Sequence, residues 1–286
     1  MAPPTRYFDR HDASHGLYFD AVDLLAHVES AYQDIKIIDT ECHGRVMLID
    51  DVTMLTQSTH HVYHEHMVHI PMACHPAPRR ALVIGGGDGG TVTELVKYPC
   101  LEQIALCELD EAVIQVSREW LPDVSAGLSD ARVAIHIGDG AAFLNDAPDP
   151  FDVIIIDSTD ICADDAGSDT GPASPLATDA FYDRLQAGLG PGGVAMQMLG
   201  STIFYRPAMA ELFNRLSNRW ASFRPVLMPC PFYISGDWTA GLLSMAASLA
   251  PDTDHRLNGH LTYFNRDIAH GALALPNDVK RLLPGG

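Results

Sequence analysis

The chain has 286 residues, of which 47% are hydrophobic. That is enough for one large domain, or a medium domain with a smaller one, and excludes a disordered chain. A formal net charge of −19 disfavours nucleic acid, which needs a basic surface to displace counterions, and is compatible with simple solubility or with steering of a cationic substrate.

No apolar run reaches the length of a membrane span, and the N-terminus MAPPTRYFDRHD has no apolar signal core. The expectation is a cytoplasmic protein without membrane partners. Its six cysteines form no C-x-x-C pair, which reads as reduced thiols. Residues 1–75 are expected to be a small β-domain. Tyr32–Ile38 and Val46–Ile49 read as strands, Asp39–Gly44 as a turn, and Leu48–Leu55 as a hairpin turning at Asp50-Asp51. His60–Cys74 lacks glycine and suits a helix, and His75-Pro-Ala-Pro-Arg-Arg marks a boundary.

From Arg80 strands and helical segments alternate: Ala81–Ile84, Thr91–Tyr98, Ile104–Leu106, Glu111–Trp120, Val133–Ile137, Val153–Ile156 and Val194–Gln197. The pattern predicts an α/β fold over residues 76–286, a mostly parallel sheet covered on both faces. Ligands then bind along the carboxyl ends of its strands.

Gly85-Gly86-Gly87-Asp88-Gly89-Gly90 lies between a strand and a helix and satisfies G-x-G-x-x-G through Gly85, Gly87 and Gly90. Such a loop lets a ligand approach backbone closely. Asp88 argues against a pyrophosphate, which would compete for the same N–H groups, and favours a cationic ligand. Glu108 closes the next strand, roughly 20 residues after Gly87, where an acid can accept ribose hydroxyls. Asp139 follows the third strand; it can meet an adenine amino group or simply cap a helix. Asp157 and Asp160 follow the fourth strand. A carboxylate leaving a buried strand suits the removal of a proton from an ammonium, so that its lone pair can attack carbon.

These segments, in order, resemble the spermidine synthase, or polyamine aminopropyltransferase, family: YQDI, GRVMLIDDVTMLT, VYHEHMVHIP, ALVIGGGDGGTVTELVKY, CELDEAVIQVSREWLP, HIGDG, FDVIIIDSTD, GPASPLATDAFYDRL, YISGDW and YFNRDIAHGALALP. The resemblance implies a Rossmann-like, methyltransferase-type doubly wound sheet preceded by a small N-terminal antiparallel β-domain, assembled as a homodimer or homotetramer. It implies decarboxylated S-adenosylmethionine as co-substrate, a cationic amine as acceptor, methylthioadenosine as by-product and no metal. By position Gln33, Gly85, Gly87, Asp88, Glu108 and Asp139 would hold the donor, with Asp88 at its aminopropyl end. Asp157 would be the base, with Tyr63 and Asp160 beside it, and His64, Asp88, Asp160, Gln197 and Tyr233 would position the amine.

Two stretches depart from the family pattern. Where it has Q-L-T-E-R-D-E-F, this chain reads Met54-Leu55-Thr56-Gln57-Ser58-Thr59-His60-His61. Where it has D-P-x-G-P-A, the longer Ile161–Thr170 separates Asp160 from Gly171. Both changes point at the acceptor: in place of the putrescine or other polyamine that the resemblance implies, they leave open a longer polyamine, an amine with an apolar portion or another specialised, non-putrescine acceptor. S-adenosylmethionine with methyl transfer to an amine is the alternative donor chemistry. His60 and His64 share a helix face, but without a third ligand set the histidines read as structural or solvated.

Overall fold

The structure, a computed structural model, describes residues 4–11, 13–159 and 173–285. Asp160 and the Ile161–Thr170 insert lie outside the described residues. The N-terminal part holds the hairpin β1 (Thr5–Arg10) and β2 (Gly16–Ala21). It is followed by an antiparallel four-stranded sheet of β3 (Asp23–Glu29), β4 (Asp34–Thr40), β5 (Gly44–Ile49) and β6 (Val52–Thr56) in that order. The predicted turn at Asp50-Asp51 joins β5 to β6. Both residues take the left-handed backbone conformation, φ 52° and 63°, which a tight hairpin requires and aspartate tolerates.

Helix α1 (His60–Cys74) follows. The larger sheet is then built from β7 (Arg80–Gly85), α2 (Gly90–Leu95), β8 (Gln103–Glu108), α3 (Glu111–Trp120), β9 (Val133–Ile137), α4 (Gly140–Asp146), β10 (Phe151–Asp157), α5 (Asp179–Gly188), β11 (Leu189–Gly200), α6 (Arg206–Arg219), β12 (Ser222–Pro229) and β13 (Asp237–Ser244). Two short helices, α7 (Arg266–Ala272) and α8 (Asn277–Lys280), close the chain. The seven strands run β12-β13-β11-β10-β7-β8-β9. Pairing is parallel from β11 to β9 and antiparallel at β13. The chain winds outward from β7 through β8 to β9, then returns to β10 on the other side of β7. The switch point therefore lies between the tips of β7 and β10, where Gly85 is paired with Asp157, and a cleft is expected there. The predicted α/β class and doubly wound sheet are what the structure has.

Alternate residues of the central strands feed separate cores. Val83, Val153 and Ile155 join α1 and α2 on one face, while Leu82, Ile84, Ile154 and Ile156 join α4, α5 and α6 on the other. Burial on both sides explains the unbroken apolar runs. The small sheet is attached through Ile35, Ile37, Met47, Ile49 and Leu55, which pack on Val113 and Val116 of α3. At about 1.5–3 kcal/mol per buried aliphatic side chain, this contact fixes the small sheet over the mouth of the larger one.

The β-domain expected over residues 1–75 includes helix α1. In the structure Tyr63, Met67, Val68, Ile70 and Met72 of α1 belong to the core of the larger sheet, so the helix is part of that unit. Its face pattern misleads because residues from Val62 to Met72 are all buried, polar ones included. Each polar group has a partner, as burial demands. The Glu65 carboxylate accepts the backbone N–H groups of Thr262, Tyr263 and Phe264 at 2.7, 2.8 and 2.6 Å. His66 contacts the Val62 carbonyl oxygen at 2.6 Å, and His69 bridges the Tyr98 hydroxyl and Glu94 at 2.6 and 3.0 Å. Glu65→Ala removes the acceptor for three N–H groups at once. It is expected to cost about 3 kcal/mol or more, read as a lowered midpoint in urea unfolding.

Candidate active site

The cleft at the switch point is lined by the glycine loop Gly85–Asp88, the tips of β8 and β10, Gly138–Gly140, and, from the small sheet, Gln33, Met47, Ile49 and Met54. Tyr63, His64, Leu176 and Tyr233 complete the wall. The glycines are needed locally. A Cβ on Gly85, already at φ +76°, would lie 2.3 Å from the Asp157 carbonyl oxygen, and one on Gly87 would lie 2.8 Å from Glu108 Oε2. The loop thus runs in contact with both acids.

Asp157 is held from two sides. The Tyr63 hydroxyl donates to Oδ1 and the Thr91 hydroxyl to Oδ2, both at 2.6 Å. Burial, then the charge of Asp88, pushes its pKa up from the ordinary carboxylate value, and these outweigh His64 and the two hydroxyls. Asp88 itself accepts the Gly90 N–H at 2.6 Å and faces His64 Nε2 at 3.4 Å. Burial works to raise the Asp88 carboxyl, yet His64 and the Gly90 N–H hold it below its ordinary value.

At the other end Glu108 accepts the Gly87 N–H on Oε2 at 3.0 Å and the Asp110 N–H on Oε1 at 2.9 Å. Burial raises its pKa to about 7, against those N–H bonds. The Gln33 amide donates to Asp110 Oδ2 at 3.2 Å, the same oxygen that takes the Ser30 hydroxyl at 2.5 Å. Asp110 also caps α3 through the Ala112 N–H, so one acid orders the helix start and orients Gln33. Asp139 caps α4, accepting the Ala142 N–H at 2.8 Å, and it also lines the cleft.

Of the residues singled out from the sequence, Gln33, Tyr63, His64, Gly85, Gly87, Asp88, Glu108, Asp139, Asp157 and Tyr233 meet in this cleft. Gln197 does not line it. It is fully buried behind the wall, taking the Tyr182 hydroxyl at 3.1 Å and donating to the Leu176 carbonyl at 2.9 Å. Its contact with the cleft runs through Leu176. The sequence reading missed Thr91, the second hydroxyl on Asp157, and Asp110 beneath Gln33. The signal for Thr91 was a hydroxyl at the first turn after the glycine loop.

His64, Asp88 and Asp157 each present a ligand atom within 4.8 Å of the others. Spacing alone would admit a metal ion. However, both Asp157 oxygens already hold hydroxyl protons and His64 Nε2 faces Asp88. The chemistry of the set fits an ammonium, which donates to such oxygens without displacing their partners.

Residues 60–252 match the spermine/spermidine synthase domain, and residues 7–57 the spermidine synthase tetramerisation domain. The chain is 39% identical to a polyamine aminopropyltransferase of Nitrosomonas europaea over 94% of its own length and 82% of the relative's. It is 35% identical to one of Lachnoclostridium phytofermentans, covering 97% of each. A crystal structure of a spermidine synthase in complex with the transition-state analogue AdoDATO superposes with a TM-score of 0.90 at 32% identity, over 99% of this chain and 97% of the other. The spermidine synthase of Thermotoga maritima gives 0.88 at 30%, over 99% and 96%. With both of its parts matched and the cleft formed by the same segments that carried the resemblance, the chain belongs to the spermine/spermidine synthase family.

Proposed function

We propose that the protein transfers the aminopropyl group of decarboxylated S-adenosylmethionine to a cationic amine and releases methylthioadenosine. The observation that carries this reading is Asp157: a buried carboxylate of raised pKa, aimed by two hydroxyls into a cleft that has a nucleoside-type acid, Glu108, at its other end. In this reading Glu108 accepts the ribose hydroxyls, Gln33 and Asp139 border the rest of the nucleoside, and Asp88 holds the aminopropyl ammonium. Asp157 takes a proton from the acceptor ammonium. The freed nitrogen lone pair forms a bond to the carbon next to sulfur, and the carbon–sulfur electron pair stays on sulfur, turning the sulfonium into a neutral thioether. Alignment of nitrogen, carbon and sulfur and a correctly poised base are the main contributions available to the protein. The names of the relatives support the same chemistry.

Met54 and Tyr233 border the acceptor end, and the Tyr233 hydroxyl donates to the Met54 carbonyl at 3.3 Å. Methionine in place of the family's glutamine removes an amide that could hold a terminal ammonium. This supports an acceptor longer than putrescine or partly apolar. Product mass spectrometry with each donor against amines of increasing length tests the whole reading. Methylthioadenosine plus a product heavier by an aminopropyl group is expected; S-adenosylhomocysteine with a methylated amine would transfer the site to S-adenosylmethionine chemistry. Deleting Ile161–Ser168, next to Asp160 in the sequence, is expected to change the order of preferred amines while leaving methylthioadenosine affinity within about threefold. The match of residues 7–57 to a tetramerisation domain supports a homotetramer, which light scattering would resolve from a dimer.

A further inference from the structure

The His60–His64 pair is not used by the reaction as described. Their Nδ1 atoms are 3.0 Å apart, with the ring centroids at 5.2 Å. Only one proton fits between two such nitrogens, so one ring donates and the other accepts. His64 Nε2 faces the Asp88 carboxylate at 3.4 Å and therefore carries hydrogen. The ring is buried and lies against Gly90, where a Cβ would fall 2.2 Å from His64 Cε1.

We propose that His60 is a positioning residue for His64 and the outlet for its proton: His64 sits at the Asp88 cation site as an imidazolium before substrate arrives, and gives up one proton through His60 when the donor's ammonium binds. This rests on the reading that the donor's aminopropyl end lies at Asp88.

The charged and titratable groups around the pair come from every element packed on it. Asp88 lies in the glycine loop, Asp157 on β10, Glu94 on α2, and Tyr63 and His61 on α1 itself. Burial works against a charge on His64, but Asp88, then Asp157 and Glu94, hold its pKa above the ordinary value. Burial and then the His64 charge take His60 down to about 3. The proton between the rings thus belongs to His64, and neutral His60 accepts it at Nδ1.

An ammonium entering beside Asp88 repels that imidazolium. Two unit charges a few ångströms apart at an effective dielectric of about 20 change proton affinity on the order of a hundred- to a thousandfold. The release then balances without ring movement. The His64 Nδ1–H bond breaks as a His60 Nδ1–H bond forms, and the His60 Nε2–H proton passes to water. The Nδ1–Nδ1 hydrogen bond reverses direction, while Nε2–H stays on Asp88. His60 is half-buried and does not line the cleft, so the exit lies outside the space that substrates fill. The family pattern has glutamate at this position; a carboxylate there only accepts and would keep His64 charged.

The test is calorimetry in two buffers of different ionisation enthalpy, near neutral pH and without acceptor. It compares decarboxylated S-adenosylmethionine with methylthioadenosine, which lacks the ammonium. Any proton linked to Glu108 is common to both ligands and cancels in the difference. Expected for the native chain is a donor excess of about one released proton, with donor affinity climbing up to about tenfold per pH unit more steeply than that of methylthioadenosine. His60→Glu is expected to remove the excess and weaken the donor about tenfold or more, leaving methylthioadenosine unchanged. His60→Leu, with no acceptor for the imidazolium, should also remove the excess without weakening the donor. A merely structural role would weaken both ligands together. No excess in the native chain, or the same excess in both variants, overturns the proposal. If the donor binds without the excess, only this linkage fails; if it does not bind, the donor reading fails with it.

Discussion

Asp157→Asn is expected to lower kcat by about 10²–10⁴-fold, the range a positioned general base contributes, with methylthioadenosine affinity unchanged within about threefold. The two effects separate because the proposed roles put the transferred proton at Asp157 and the nucleoside at Glu108. Asparagine keeps the shape, and its neighbours Tyr63 and Thr91 are hydroxyls that can rotate to accept as well as donate, so the site need not rearrange. The stability sign runs opposite to the activity. The Asp157 pKa is raised in the folded state by burial and by Asp88. The stabilisation linked to this group is therefore complete below its unfolded pKa and is lost as pH rises through the folded value. Wherever it is ionised, the carboxylate is a burden on the fold. The asparagine variant should melt at the same temperature or higher while losing turnover, as at sites where function opposes stability. Single-turnover rates and thermal melts at neutral pH check both halves; a variant retaining activity within about tenfold would place the base elsewhere.

The sequence exposes the larger sheet well and the rest unevenly, and the reason is burial. Ala81–Ile84 and Val153–Ile156 are apolar on both sides because both faces of the sheet are covered, so their strands and tips can be read directly. The hairpin of β1 and β2 does alternate in burial, but its inner side includes Asp9 and its outer side Phe8 and Tyr18, so polarity does not report the pattern. Helix α1 hides its affiliation for the opposite reason, since buried histidines and glutamate erase the polar stripe that would orient it. The site follows the same logic. Acids at strand tips are legible one by one, but Thr91 matters only because β10 brings Asp157 within 2.6 Å of it, and Gln197 falls behind the wall because Tyr182 and Leu176 take its amide. The His60–His64 contact was visible as a helical spacing; its meaning required Asp88 on the facing loop.

Glu108→Gln carries the largest expected loss of donor affinity, about 100-fold or more for methylthioadenosine. A carboxylate accepting two ribose hydroxyls loses roughly 1.5 kcal/mol or more per hydrogen bond when its charge goes, and each 1.4 kcal/mol is tenfold. The amide brings a second penalty. In the native site both Glu108 oxygens take backbone N–H groups, from Gly87 and Asp110, so a glutamine must point its own NH₂ at one of them. The glycine loop then loses its fixed distance from the β8 tip. The pH dependence supplies an independent check on the same atoms. Burial brings the Glu108 pKa up to about 7, and the carboxylate form is the one that accepts two hydroxyls. Native methylthioadenosine affinity should therefore be at its plateau above neutrality and fall by up to about tenfold per pH unit below it. The glutamine variant, having no proton to gain, should bind weakly with no such fall between about pH 6 and about pH 8. Titrations at both ends of that range distinguish the outcomes. A flat native profile would mean that the ribose is held by another acceptor, whereas a sloping profile in the variant would assign the titration to a different acid of the cleft.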